Sequence, residues 1–327
     1  MEIANGPPFQ PLRFMRNPHV QTIAALFFRG QADREVARRQ VVRLSDQDRL
    51  VVHDNLPRQW NSGDRIAILM HGLCGSHASP CVVRAASKLR DLGVRTVRVD
   101  FRGQGESALI SRHHLHAGCS QDLRDVVQYV HRLSPTSRIS LVGFSLGGSI
   151  LLKALGEWSS AHPDFVDSAV AVSPPVDLAW SCANLQVNGN RLYDYYFVRT
   201  IKQNLVARRR KVAGLVDNHL NPLPDRLVHL DDQFTAPVWG FDGARDYYRS
   251  CSSGPLLKEV HVPTVILASR DDPVVPFAMY SHWRMSSRIQ EVTTSHGGHL
   301  GFLGRASSDP DGHWMDWRIC DWIGAAR

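Results

Sequence analysis

The apolar positions of this chain fall into short unbroken runs set between amphipathic stretches. Residues 65–71 (Arg-Ile-Ala-Ile-Leu-Met-His), 138–142, 167–173 and 263–269 are each β-branched or aliphatic through most of their length, and 94–101 at half of its positions. Runs of that length and composition predict strands buried on both faces. Between them, residues 79–92, closed by Gly93, and 121–133 carry apolar residues at helical spacing. Upstream, the strand-like runs 40–44 and 49–53 flank a Ser-Asp-Gln-Asp turn. The alternation stops after 173. Residues 176–257 hold aromatics, charges and prolines with no strand pattern. It resumes at 263–269, with a last strand expected at 288–294 and a last helix at 309–323. Repeated alternation of this kind predicts a mostly parallel sheet with helices on both faces, an α/β architecture. Residues 36–175 and 258–327 are expected to form its core and 176–257 an inserted helical cap. Residues 1–35, rich in Pro, Asn and Arg, are expected to form an N-terminal arm lying on the core.

One run ends in chemistry. Strand 138–142 leads directly into Gly143-Phe144-Ser145-Leu146-Gly147, and a helix-forming run, 149–155, follows. Strand, sharp turn and helix with a serine at the apex describe a nucleophile elbow, which holds the hydroxyl above the sheet on a strained backbone. A serine needs a base to take its proton, and the base needs a carboxylate on its far nitrogen. In a parallel sheet those groups belong at the C-terminal ends of strands. Strand 263–269 runs into Asp271 and Asp272, whose side chains diverge so that one alone can face the base. Strand 288–294 runs into His296-Gly297-Gly298-His299. The glycines let His299 swing into the site, and His296 is the alternative. The chain order is then Ser, Asp, His. An oxyanion needs two backbone N–H donors. Leu146, after the serine, and Leu73, in the turn following His71-Gly72, are the candidates.

Composition narrows the field. The chain has 327 residues, 43% hydrophobic and 21% charged, in the range of globular proteins. The longest uncharged apolar stretch, 139–152, is too short for a bilayer, and the first eight residues lack the pattern of a signal peptide. Six scattered cysteines without a C-x-x-C pair fit reduced thiols in the cytoplasm. The net charge of +7 concentrates at 34–43 and 208–211. Solvated helix faces account for these runs, the alternative being attraction to anionic substrates or a membrane surface. No nucleic-acid partner is expected, because zinc-finger spacings and RNA-binding signatures are missing. Gly103-Gln104-Gly105 lacks the remaining residues of a phosphate-binding loop and reads as a structural turn beside the site. His113, His114, His116 and Cys119 are competent ligands, but their spacing matches no zinc pattern, so an exposed or supporting histidine cluster is expected and no metal or cofactor.

Together these motifs resemble the YheT-like, embryogenesis-associated branch of the α/β-hydrolases. The resemblance rests on Asn17-Pro18-His19-Val20-Gln21-Thr22, His71-Gly72-Leu73 with Ser76, Phe101-Arg102-Gly103 and Gly143 to Gly148. It continues through Phe234-Thr235-Ala236, Gly240-Phe241, Asp246-Tyr247-Tyr248, Asp271-Asp272-Pro273 and His296 to His299. It implies a cofactor-free serine hydrolase of carboxylic esters. The superfamily ends its acid strand in Asp-x-x-Val-Pro, which places the acid at Asp272. The aromatic cap is expected to confine the acyl chain and favour short to medium esters, with a small-molecule ester the expected partner and peripheral membrane contact the alternative. Gln104-Gly105-Glu106 stands where relatives often carry Cys-x-Gly, so pocket specificity does not carry over.

Overall fold

The computed structural model describes residues 6–27 and 37–324. The strands are β1 (Arg38–Arg43), β2 (Arg49–Asn55), β3 (Ile66–Met70), β4 (Arg95–Asp100), β5 (Ile139–Phe144), β6 (Val166–Val172), β7 (Thr264–Ser269) and β8 (Ile289–Thr294). They form one sheet in the order β1-β2-β4-β3-β5-β6-β7-β8. β1 pairs with β2, and β2 with β4, antiparallel; every later pairing is parallel. β3, β4, β5 and β7 are buried along their whole length, as the apolar runs of β3, β5 and β7 predict; β4 also buries Arg95, Arg98 and Asp100.

The helices are α1 (Pro18–Phe27), α2 (Pro80–Asp91), α3 (Ser120–Leu133), α4 (Leu146–Trp158), α5 (Leu178–Leu185), α6 (Arg191–Arg209), α7 (Leu227–Leu230), α8 (Ala236–Trp239), α9 (Ala244–Cys251) and α10 (Trp314–Gly324). Side chains alternate across β3, so Ile66, Ile68 and Met70 face a core shared with α3 and α4. Ala67 and Leu69 face a second core shared with α2 and α10. α3 shows why: Leu123, Val126, Val127 and Val130 make one buried stripe at i, i+3, i+4, i+7. Every regular element between β6 and β7 is helical.

Two local expectations need correction. The last helix starts at Trp314, not at 309, because Asp309 and Asp311 turn to Arg318 and Lys88 instead of continuing a helical turn. The basic run 208–211 is not simply a solvated face. Arg208 is buried, and its guanidinium donates to the carbonyls of Ala108, Ser111 and His113. Arg209 pairs with Asp217. Burial also pulls the Arg208 pKa down, to about 10. Of the expected arm, residues 1–5 and 28–35 lie outside the described residues; its helix α1 lies against the loop after β8.

Candidate active site

Ser145 follows β5 with φ 49° and ψ −119°, a left-handed backbone that a non-glycine residue adopts only under constraint. The constraint is close packing. A Cβ on Gly143 would lie 2.5 Å from the Gly147 carbonyl oxygen, and one on Gly147 would lie 2.5 Å from the His71 carbonyl oxygen. Strand, helix and neighbouring turn therefore meet backbone to backbone, and the serine has no room to relax.

His299 lies at the end of the loop after β8. Its Nε2 is 2.8 Å from Ser145 Oγ, and its Nδ1 is 2.8 Å from Asp272 Oδ2. Asp272 Oδ1 accepts the Val274 and Val275 N–H groups, which fixes the carboxylate plane. His299 is 8% exposed, so water has little access to these bonds. The adjacent pair divides as diverging side chains must. Asp271 turns to Ser269 Oγ, the Gly298 N–H and His296 Nδ1 (3.3 Å), so it braces the histidine loop rather than touching His299.

The arm braces the same loop. Thr22 Oγ1 donates to the Pro18 carbonyl and accepts the His299 N–H at 2.8 Å. Gln21, fully buried, bonds Leu303 through both ends of its amide. A Cβ on Gly298 would strike the Pro18 carbonyl oxygen at 2.4 Å. The Asn17-to-Thr22 motif therefore has a physical task that sequence reasoning left open: it seats the histidine loop.

The turn after β3 completes the site. A Cβ on Gly72 would lie 3.1 Å from Ser145 Cβ, so Leu73 passes beside the serine, and Leu146 follows it at the start of α4. His71 sets this turn. Burial lowers its pKa, and the neutral ring accepts the Phe101 N–H on Nε2 while Nδ1 donates to the Gly72 carbonyl at 2.7 Å. Gly103 and Gln104 line the adjoining cavity. Behind their turn, Asp100 accepts from His53 and His77, whose rings stack at 3.4 Å, and from the His77 and Glu106 N–H groups. His53, His77 and Asp100 are the one group of potential metal ligands converging within 4.8 Å among the described residues; it lay unnoticed in the sequence because its members are far apart. The cluster singled out in the sequence is different. His113, His114 and His116 pack on Trp239, and His114 is buried rather than exposed, with its pKa pushed down to about 3.

Ser145 stands where two cavities meet. One, of about 120 Å³, lies beneath α5 and α6 and ends near Tyr248 and Asp231. Burial raises the Asp231 pKa to about 6, against the hydrogen bond from the Tyr248 hydroxyl. The other, of about 390 Å³, lies between α1, α6 and the turn after β3. Sequence reasoning missed this second space, because α1 and α6 are remote in the chain.

A family model described as alpha/beta hydrolase fold matches residues 68–306. The chain belongs to this family. The hydrolase is 31% identical over 330 residues to YheT of Escherichia coli (strain K12), a protein with a provisional esterase name, covering 98% of this chain and 94% of YheT. It is 26% identical to the embryogenesis-associated protein EMB8 of Picea glauca, over 97% of this chain and 72% of EMB8. It is 28% identical to human phospholipase ABHD3, over 72% of this chain and 58% of that protein. Among solved structures, Est1E from Butyrivibrio proteoclasticus superposes with a TM-score of 0.56 at 16% identity, over 88% of this chain and 98% of Est1E. At that identity the likeness speaks for the fold. No helix among the described residues is long and apolar enough to cross a membrane.

Proposed function

We propose that this hydrolase cleaves carboxylic esters through an acyl-enzyme on Ser145. The observation that carries the reading is the continuous hydrogen-bonded line from Ser145 through His299 to Asp272, at the junction of two cavities. His299 takes the Ser145 proton as the hydroxyl attacks the ester carbonyl and returns it to the departing alcohol. Asp272 holds the ring with its proton on Nδ1 and stabilises the imidazolium. The Leu73 and Leu146 N–H groups receive the oxyanion. Water, deprotonated by His299, then releases the acid.

Residues 176–257 act as a cap in this reading. α5 and α6 close over a small and largely apolar space, to which Leu178, Leu185, Phe197 and Leu205 contribute. Each methylene that fits is worth about 0.8 kcal/mol, and one that does not meets the wall. Short to medium acyl chains follow. The test is a series of p-nitrophenyl esters of increasing acyl length. The specificity constant should climb and then fall within the medium range; a climb continuing through long-chain esters would overturn the size argument. Within the cap, Tyr247 Oη accepts the Ala117 N–H and so ties α9 to the core.

A further inference from the structure

Four residues, Leu73, Ser145, Phe197 and Val274, line both cavities and form the neck between them. The histidine is not shared. His299 and Leu300 line the α1–α6 cavity, whereas Leu146 lines the one beneath the cap. This asymmetry has a chemical consequence that rests on the ester reading above. His299 Nε2 must hand its proton to the oxygen of the leaving alcohol, so that oxygen and the chain it carries lie on the His299 side of Ser145. We propose that the α1–α6 cavity is the alcohol site, and that the cavity beneath the cap takes the acyl chain. The preferred substrate is then an ester whose alcohol is itself an extended apolar chain.

The walls fit that ligand. Ile23 and Leu26 come from α1, Leu192 and Tyr196 from α6, and Cys74 from the turn after β3. Burial pushes the Cys74 thiol up to about 12, so it is a neutral surface. Arg84, which also lines the space, is held by Asp316 at 2.7 Å. The mouth is open and apolar, with Ile23 46%, Leu26 51% and Leu192 76% exposed. An alkyl chain longer than the cavity can therefore continue outward, unlike a chain beneath the cap.

By microscopic reversibility the same site takes an acceptor alcohol. The incoming hydroxyl gives its proton to His299 Nε2 as its oxygen bonds the acyl carbon. Ser145 Oγ leaves and recovers that proton, so one ester is exchanged for another with no further reactant. An apolar alcohol should therefore compete with water for the acyl-enzyme.

The experiment crosses two ester series. With a butyryl group held constant, the alcohol is lengthened from methyl to octyl; with ethanol held constant, the acyl chain is lengthened. Each alcohol methylene that fits should raise kcat/KM about fourfold. Ile23→Trp should lower the octyl-to-methyl ratio at least tenfold and leave the shape of the acyl profile in place. Tyr196→Ala, which enlarges the space, should move the alcohol optimum to longer chains. Leu185→Trp, beneath the cap, should shorten the acyl optimum and spare the alcohol profile. With 1-hexanol present, hexyl ester should form at the expense of free acid, and less so in Ile23→Trp. Folding of each variant is checked by thermal denaturation. Exchanged effects, with Ile23→Trp moving the acyl profile and Leu185→Trp the alcohol profile, would overturn the assignment, as would two flat alcohol profiles. Absence of turnover on every ester in both series would instead overturn the ester reading beneath it.

Discussion

Replacing each of two neighbouring carboxylates by its amide separates the roles the structure gives them. In Asp272→Asn the amide oxygen can keep the Val274 and Val275 N–H bonds at 2.8 and 2.9 Å, so the loop retains its anchor. The amide nitrogen then faces His299 Nδ1, where the carboxylate stood at 2.8 Å. An NH2 group donates, so it selects the ring with its proton on Nε2, the nitrogen that accepts from Ser145 in the proposed mechanism. Wrong-tautomer substitutions of this type cost about 10⁴-fold in turnover, or about 5.5 kcal/mol of transition-state stabilisation. Asp271→Asn removes charge from bonds to Gly298 N–H and His296, 27 and 25 residues along the chain, without touching His299. Turning a charge-assisted bond into a neutral one costs about 1 kcal/mol, or about fivefold. The assay is kcat/KM on p-nitrophenyl butyrate, with thermal midpoints to confirm that both variants fold. Equal losses, or a larger loss at Asp271, would refute the division of labour.

Three further outcomes follow from the same geometry. Thr22→Val removes the acceptor of the His299 N–H, so kcat should fall about tenfold with KM little changed, and Thr22→Ser, which restores the hydroxyl, should recover most of it; a loss seen in KM alone would argue against a positioning role. Gly147→Ala puts a Cβ 2.5 Å from the His71 carbonyl oxygen, in contact with rigid backbone, so it should fail to accumulate as folded protein or lose several kcal/mol in urea titration; wild-type stability would contradict the packing of the elbow. His114 titrates at about 3 in the folded chain and near 6.5 unfolded, so its contribution is fully present above 6.5 and is lost as pH falls through that window to about 3. The limit of that loss is about 5 kcal/mol, and His114→Phe should flatten the pH dependence of the urea midpoint between 6.5 and 3; an unchanged slope would show that other groups carry it.

Much of the sheet was legible because β3, β5 and β7 are buried on both faces and leave mostly apolar runs, whereas β4, equally buried, carries Arg95, Arg98 and Asp100 among its valines. The elbow was legible because backbone contact at Gly143 and Gly147 excludes every side chain. Between Asp271 and Asp272 the residues alone left the choice open, and only the resemblance to the superfamily pattern Asp-x-x-Val-Pro pointed to Asp272; what fixes that carboxylate, the amides of Val274 and Val275, is three-dimensional. α1 left a signal that was read only as an arm: Asn17 caps it through the His19 and Val20 N–H groups, and Pro18 occupies its first position. α6 was harder to read. Only Asp194, Val198, Leu205 and Arg208 among its 19 residues are buried, and two of those four are charged. Arg208 looked like one more surface cation, because the carbonyls that hold it come from residues 108–113. The second cavity was illegible for the same reason: it exists only where residues of α1, α6 and the turn at 72–75 come together in space.

The central claim, a covalent acyl-enzyme on Ser145, is tested most directly by peptide mass spectrometry after treatment with a serine-directed fluorophosphonate. One equivalent of label should appear on the peptide carrying Gly143-Phe144-Ser145-Leu146-Gly147. It should appear in step with loss of esterase activity, be slowed by a competing ester, and vanish in Ser145→Ala, which should itself lose about 10⁴-fold or more in turnover while remaining folded. Label on any other residue, or a Ser145→Ala protein that still turns over esters at near the original rate, would contradict the account.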